Sequence, residues 1–139
     1  MLVGSGSLHE ELKRQVEQMG LPNVVFSGRV DNSEIMQYLN QADIMLSAPK
    51  VDNMPVSLIE AMNAGLLVIS SRVGGVPYMI EHRCTGLLFD SDNDNAMAEC
   101  VLWALNHQEE CLQIIKNAKD EVKRYSWEVV GQQIKTLYE

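Results

Sequence analysis

Asp52-Asn53-Met54-Pro55-Val56-Ser57-Leu58-Ile59-Glu60-Ala61-Met62-Asn63-Ala64-Gly65-Leu66-Leu67-Val68-Ile69 holds a loop, a helix, a stop and a strand in one stretch. Pro55 suits a first helical turn, where its missing N–H has no intrahelical partner to lose. Gly65 follows the last helical residue and supplies the left-handed conformation that ends a helix. Val56, Leu58, Ile59, Ala61, Met62 and Ala64 make the helix apolar enough to expect it mostly buried, while Ser57, Glu60 and Asn63 recur every third residue as one polar stripe. Glu60 either accepts hydrogen bonds from a ligand along that stripe or faces water. Asp52 is a loop acceptor, a cap near the helix dipole, or a contact for a ligand hydroxyl.

Outward from this unit the same alternation repeats. Short apolar runs stand at Leu2-Val3, Val24-Val25-Phe26, Ile44-Met45-Leu46, Leu66 to Ile69 and Leu87-Leu88-Phe89. Continuous runs of this kind suit parallel strands buried on both faces. Ser7 and Glu10 have capping-box spacing before Leu8, Leu12, Val16 and Met19, and Gly20 with Pro22 gives the stop. Asn32 or Ser33 opens a further helix to about Asn40, and after Asp90 only helices follow, near 93–106, 108–124 and 127–138. The expected fold is α/β: one Rossmann-like domain over residues 1–139, a parallel sheet flanked by helices, with a helical C-terminal end. Because Met1-Leu2-Val3 starts directly in an apolar run, the chain reads as a fragment.

Composition narrows the function classes. The 139 residues are 46% hydrophobic and carry a net charge of −8, which disfavours nucleic acid and anionic bilayers as partners. Three cysteines without C-x-x-C spacing fit neither a disulfide framework nor zinc and point to the cytoplasm. No apolar run reaches the ~20 residues of a transmembrane helix. Asp90, Asp92 and Asp94 lack the glycine and glutamate of a calcium loop and read as caps of the next helix. His9, His82 and His107 read as surface histidines, and Trp103 and Trp127 as packing residues.

In such a sheet ligands gather at the carboxyl ends of the strands. The loops there are Gly4-Ser5-Gly6, Ser27-Gly28-Arg29, Ala48 to Met54, Ser71 to Gly75 and the segment from Asp90, and they bring Arg29, Lys50 and Arg72 to that edge. Local bases with Gly4, Gly6, Gly74 and Gly75 suit an anionic ligand, since glycine lets backbone N–H groups approach a phosphate. A dinucleotide fingerprint fails, because its third glycine would fall at His9.

The stretch DNMPVSLIEAMNAG (52–65), followed by LLVISSRVGGVP (66–77) and TGLLF (85–89), resembles the nucleotide-sugar-binding C-terminal domain of glycosyltransferase family 4, retaining enzymes of the two-domain B-type fold. VGSGSLHEEL is similar to the family's glycine strand-turn-helix, VVFSGRV to its base-side loop and YSW to the start of its last helix. The resemblance implies that Glu60 is the second acid of a paired-acid signature and holds the donor ribose, with Asp52 the first acid beside the donor sugar. It makes these two the candidate catalytic residues. Asn53, Met54, Pro55 and Val56 then lie at the sugar and diphosphate, Arg29 and Val30 at the nucleobase, and Gly4, Gly6, Gly74 and Gly75 complete the donor-binding set. The first acid is Asp52 rather than the commoner Glu, and Tyr78 stands where many members have Glu.

The implied activity is retaining, metal-independent transfer of a sugar from a nucleotide diphosphate sugar to a glycan, lipid or polysaccharide acceptor, without a cofactor. The implied partner is an N-terminal acceptor domain of the same protein, in the cytoplasm or at the cytoplasmic face of a membrane. The donor-phosphate Arg and Lys of the family belong to a strand-helix upstream of Leu2, so the isolated chain is expected to transfer little or no sugar. The alternatives are a nucleotide-sugar-binding regulatory module without transferase activity and a purely structural interaction domain.

Overall fold

The structure, a computed structural model, describes residues 1–138. The chain forms two compact units, one of residues 1–38 and one from Leu39 onward. In the first, β1 (Leu2–Val3) and β2 (Phe26–Gly28) pair in parallel around α1 (His9–Gln18), and α2 (Ile35–Leu39) runs to the boundary with the second. The Leu2 N–H donates to the Val25 carbonyl at 2.7 Å, so Val25 lends only an acceptor and the strand begins at Phe26, later than its apolar run suggests.

The Ser7–Glu10 capping box is not formed. The His9 N–H bonds to the Gly6 carbonyl at 3.1 Å, which makes Ser7 and Leu8 a turn and puts the N-cap on Leu8, one residue too late for the box and without a side-chain cap. The predicted stop holds: Gly20 at φ +64° lets its own N–H reach Glu17 and the Leu21 N–H reach Val16, closing the orphan carbonyls of α1. No residue of 1–38 is fully buried, and both residues of β1 are exposed.

The second unit is built on the parallel sheet β3 (Ile44–Ser47), β4 (Leu67–Ser71) and β5 (Leu87–Phe89), in that order, with Ile44 opposite Leu67 and Ile69 opposite Leu87. Around it lie α3 (Val56–Ala64), α4 (Val76–Met79), α5 (Asp94–Asn106) and α6 (Gln108–Glu121), then a 3-10 turn (Val122–Tyr125) and α7 (Trp127–Tyr138). Alternate strand residues feed two apolar cores. Leu66, Val68 and Leu88 pack with Leu58, Ala61 and Met62 of α3, Val76 and Met79 of α4 and Ala118 of α6. Leu67, Ile69, Leu87 and Phe89 pack with Ala104, Cys111 and Ile114.

Among the described residues burial on both faces therefore belongs to β4 and β5, whereas β3 pairs with β4 on one side and leaves Leu46 exposed. Gly65 ends α3 at φ +91°, with Leu66 N–H on the Ala61 carbonyl at 3.0 Å, as its position after the helix requires. The cap of α5 is the Asn93 amide oxygen, which accepts from the Ala96 N–H at 2.9 Å, rather than one of the neighbouring aspartates. Trp103 does pack, stacked on His107 at 4.6 Å beneath the Arg83 guanidinium. Trp127 instead is exposed, its ring lying over Gly131, while His9 and His107 are half-buried.

Candidate functional site

The β3–α3 loop is held by main chain rather than by its own side chains. Gly75 N–H donates to the Asp52 carbonyl at 3.1 Å. A Cβ on Gly74 would stand 1.8 Å from the Asp52 oxygen, and one on Gly75 would stand 1.5 Å from the Asn53 oxygen, so only glycines let the two backbones lie this close. Gly74 is also at φ +48°. At the other end of the loop the Ser71 hydroxyl donates to the Pro49 carbonyl at 2.6 Å. Asp52, Asn53, Met54, Pro55, Val56, Gly74 and Gly75 are thus gathered in one place. The glycine pair does so by admitting the loop, a role that sequence reading assigned only to phosphate approach.

Pro55 is the N-cap of α3, extended at ψ 114°, and no side chain caps the helix. The first amides of α3 lack intrahelical partners and carry the positive end of the helix dipole. Asp52 is not that cap: its carbonyl is engaged by Gly75 and its side chain is half-buried. Met54 and Val56 are exposed beside this end, so the expected burial of α3 is confined to Leu58, Ala61 and Met62. Ser57, Glu60 and Asn63 do form one face, and that face is exposed. Glu60 makes no ion pair or hydrogen bond with the described residues, so its carboxylate is free to accept one.

Of the three bases expected at the strand ends, two are occupied. Lys50 pairs with Asp92 at 2.8 Å, which raises the lysine pKa above its ordinary value through that hydrogen bond and charge. Arg72 lies 4.0 Å from Asp90. These exposed pairs offset the local positive charge and give the aspartate run its structural use. In the first unit, Gly4 at φ +127° donates its N–H to the Gly28 carbonyl at 2.8 Å. This brings Gly4 to the carboxyl end of β2, where exposed Arg29 and half-buried Val30 follow, and Gly6 stands in the turn ahead of α1. Around Gly4 and Gly6 an added Cβ would meet nothing within 4 Å, unlike at Gly74 and Gly75.

Two features escaped sequence reading. The Ser71–Pro49 bond joins residues 22 apart, and its only trace in the sequence is a polar residue ending an apolar run. His82 is exposed, as its surface reading expected, but that reading gave no hint that its Nδ1 accepts the Leu88 N–H at 2.9 Å, closing an outward N–H of β5. Burial together with the charges of Arg83 and Arg72 holds its pKa below the ordinary 6.5. A groove of about 900 Å³ opens beside Arg72, Tyr78, His82, Asn117 and Arg124; neither Asp52 nor Glu60 lines it, so it is separate from the loop described above.

The family model "Glycosyl transferases group 1" matches residues 1–121. The sulfoquinovosyl transferase SQD2 of Arabidopsis thaliana is 30% identical over 96% of this chain, which spans 26% of that protein. The crystal structure of Anabaena Alr3699/HepE in complex with UDP-glucose superposes with a TM-score of 0.87 at 24% identity, covering 99% of this chain and 39% of that one, a likeness of fold. The C-terminal domain of a glycosyl transferase group 1 family protein (LpcC) from Francisella tularensis gives a TM-score of 0.75 at 25% identity, over 82% of this chain and 60% of that one. The chain spans 26% to 39% of the length of three curated relatives it matches.

Proposed function

The chain belongs to the group 1 glycosyl transferases, and from that premise we propose that it is the donor-binding domain of a retaining family 4 enzyme. The enzyme would transfer a sugar from a nucleoside diphosphate sugar to a glycan, lipid or polysaccharide acceptor. The observation that carries this reading is the uncapped start of α3, presented by a loop fixed to Gly74-Gly75, with the free carboxylate of Glu60 one turn along the same helix. Relatives that are glycosyltransferases and neighbours crystallised with UDP and UDP-glucose support it.

In this reading the sugar–phosphate bond breaks while negative charge grows on the leaving diphosphate. Backbone N–H groups of Asn53, Met54 and Val56 and the dipole of α3 stabilise that charge where it develops, without a metal. Glu60 accepts hydrogen bonds from the ribose hydroxyls, and Asp52 faces the donor sugar. Arg29 and Val30 contact the nucleobase, with Gly4 and Gly6 completing the donor-binding set. The acceptor is held by an N-terminal domain of the longer protein, in the cytoplasm or at the cytoplasmic face of a membrane. Without that domain the orientation of the two substrates is lost and transfer falls to little or nothing.

Calorimetric titration of the chain with UDP, GDP and their sugars tests the reading. Saturable binding is expected, weakened about tenfold in Glu60→Ala, since hydrogen bonds to a charged group contribute about 1.5 kcal/mol or more. A folded chain that binds none of them, or a Glu60→Ala chain that binds as tightly as wild type, would overturn it.

A further inference from the structure

Ser70 and Ser71 stand side by side at the end of β4, 0% and 1% exposed, and their hydroxyls have opposite fates. Among the described residues Ser70 Oγ has no hydrogen-bond partner, whereas Ser71 Oγ donates to the Pro49 carbonyl at 2.6 Å. Burying a hydroxyl is unfavourable unless it is bonded, so at Ser71 the bond offsets a cost that at Ser70 stands uncompensated. What the Ser71 bond fixes is specific. Pro49 lies three residues before Asp52, whose carbonyl accepts from Gly75 N–H at 3.1 Å. The β3–α3 loop is thereby pinned at two points, to the last residue of β4 and to Gly75 beyond it, and the amides assigned to the donor follow directly, from Asn53 to the first residue of α3.

We infer that Ser71 is a positioning residue for the donor: its hydroxyl latches Pro49 so that the Asp52–Val56 backbone is set before a nucleoside diphosphate arrives. This rests on the donor-binding reading above. It acts by preorganisation, because a loop already ordered forfeits less freedom on binding than a loose one. Ser71 touches no donor atom in this account, and its influence passes through Pro49 and Asp52.

The test pairs calorimetry against UDP and GDP with the amide resonance and hydrogen exchange of Gly75, whose N–H reports the loop directly. Ser71→Ala is expected to shift that resonance, speed its exchange and weaken nucleotide binding about fivefold, the worth of one ordinary hydrogen bond, while amides of α5 keep their exchange rates. Ser71→Thr, which retains the hydroxyl, restores both readings, and Ser70→Ala disturbs neither. Ser71→Cys keeps the volume with a much weaker donor, so it repeats the loss where Ser71→Ala is too unstable to assay.

A changed Gly75 signal with unchanged binding overturns the positioning role, as does weakened binding with an unchanged Gly75 signal. Failure of Ser71→Thr to restore binding overturns it too. A wild-type chain that binds neither nucleotide overturns the donor reading and the positioning role with it. A wild-type chain that binds, beside a Ser71→Ala chain equal to it in both readings, overturns the positioning role alone.

Discussion

Leu2-Val3 and Leu67 to Ile69 read alike as apolar strand runs, yet the first pair is exposed and the second set is shut from water. The difference lies in their neighbours. β4 has a strand on each side and apolar cores on both faces, with α3 and α4 against one, whereas β1 pairs, among the described residues, with β2 in a unit where α1 buries no residue. An apolar run states that a strand can be buried; the elements around it decide whether it is. The glycines divide the same way: Gly74 and Gly75 are crowded by backbone, and Gly4 and Gly6 have open space.

The largest test of this contrast compares Ile69→Ala with Val3→Ala by denaturant unfolding. Ile69 is fully buried, so its truncation is expected to cost about 2–5 kcal/mol through lost burial and a cavity, while Val3, 48% exposed, loses less than about 1 kcal/mol. Equal losses would erase the distinction. Next comes glycine against glycine: Gly75→Ala is expected to cost about 1–3 kcal/mol and to weaken nucleotide binding, because a Cβ 1.5 Å from the Asn53 oxygen must push the loop away. Gly6→Ala, with nothing in its way, leaves stability unchanged or slightly raised in the same melting experiment.

The smallest effect concerns pH and sharpens the contrast from the side of β5. The folded-state pKa of His82 lies below 6.5, so the unfolded chain binds the proton more readily than the folded one. The stability that follows is complete above about pH 6.5 and declines as pH falls through the interval below it, when a protonated Nδ1 can no longer accept the Leu88 N–H. The Asp120 carboxyl, lowered by Lys123 below its ordinary 3.8, contributes stability that is lost only at more acidic pH. Melting temperature scanned from pH 8 to 5 is therefore expected to fall in wild type and to fall less in His82→Gln. An identical slope in the two proteins would remove His82 from the account.

Much of the molecule was legible from local pattern. The alternation of strands and helices, the stops at Gly20 and Gly65, the helix opening at Asn93 and the polar face of Ser57, Glu60 and Asn63 all depend on nearby residues, and all stand in the structure. The features that escaped depend on distance or on a one-residue offset. The turn at Gly6 displaced the N-cap from Ser7 to Leu8; Lys50 and Arg72 met Asp92 and Asp90 from another loop; Ser71 found Pro49 across a strand spacing. Trp127 looks like core by composition, and no local signal says that the face of α7 carrying it stays open. At the β3–α3 loop, the means of holding the candidate residues, the Ser71–Pro49 bond and the close approach of Gly74-Gly75, left no local signal in the sequence.

The contact between Gly74-Gly75 and Asp52-Asn53 runs through carbonyls and amides, and it divides freedom to vary unevenly between its two sides. Positions 74 and 75 tolerate no side chain, whereas at 52 and 53 the contact involves only atoms that every residue possesses. The longer acid Glu at 52, or a different side chain at 53, can therefore be exchanged without refitting the joint. One side of the joint is a fixed socket and the other an interchangeable insert, so side chains can change at 52 and 53 while the backbone contact stays as it is.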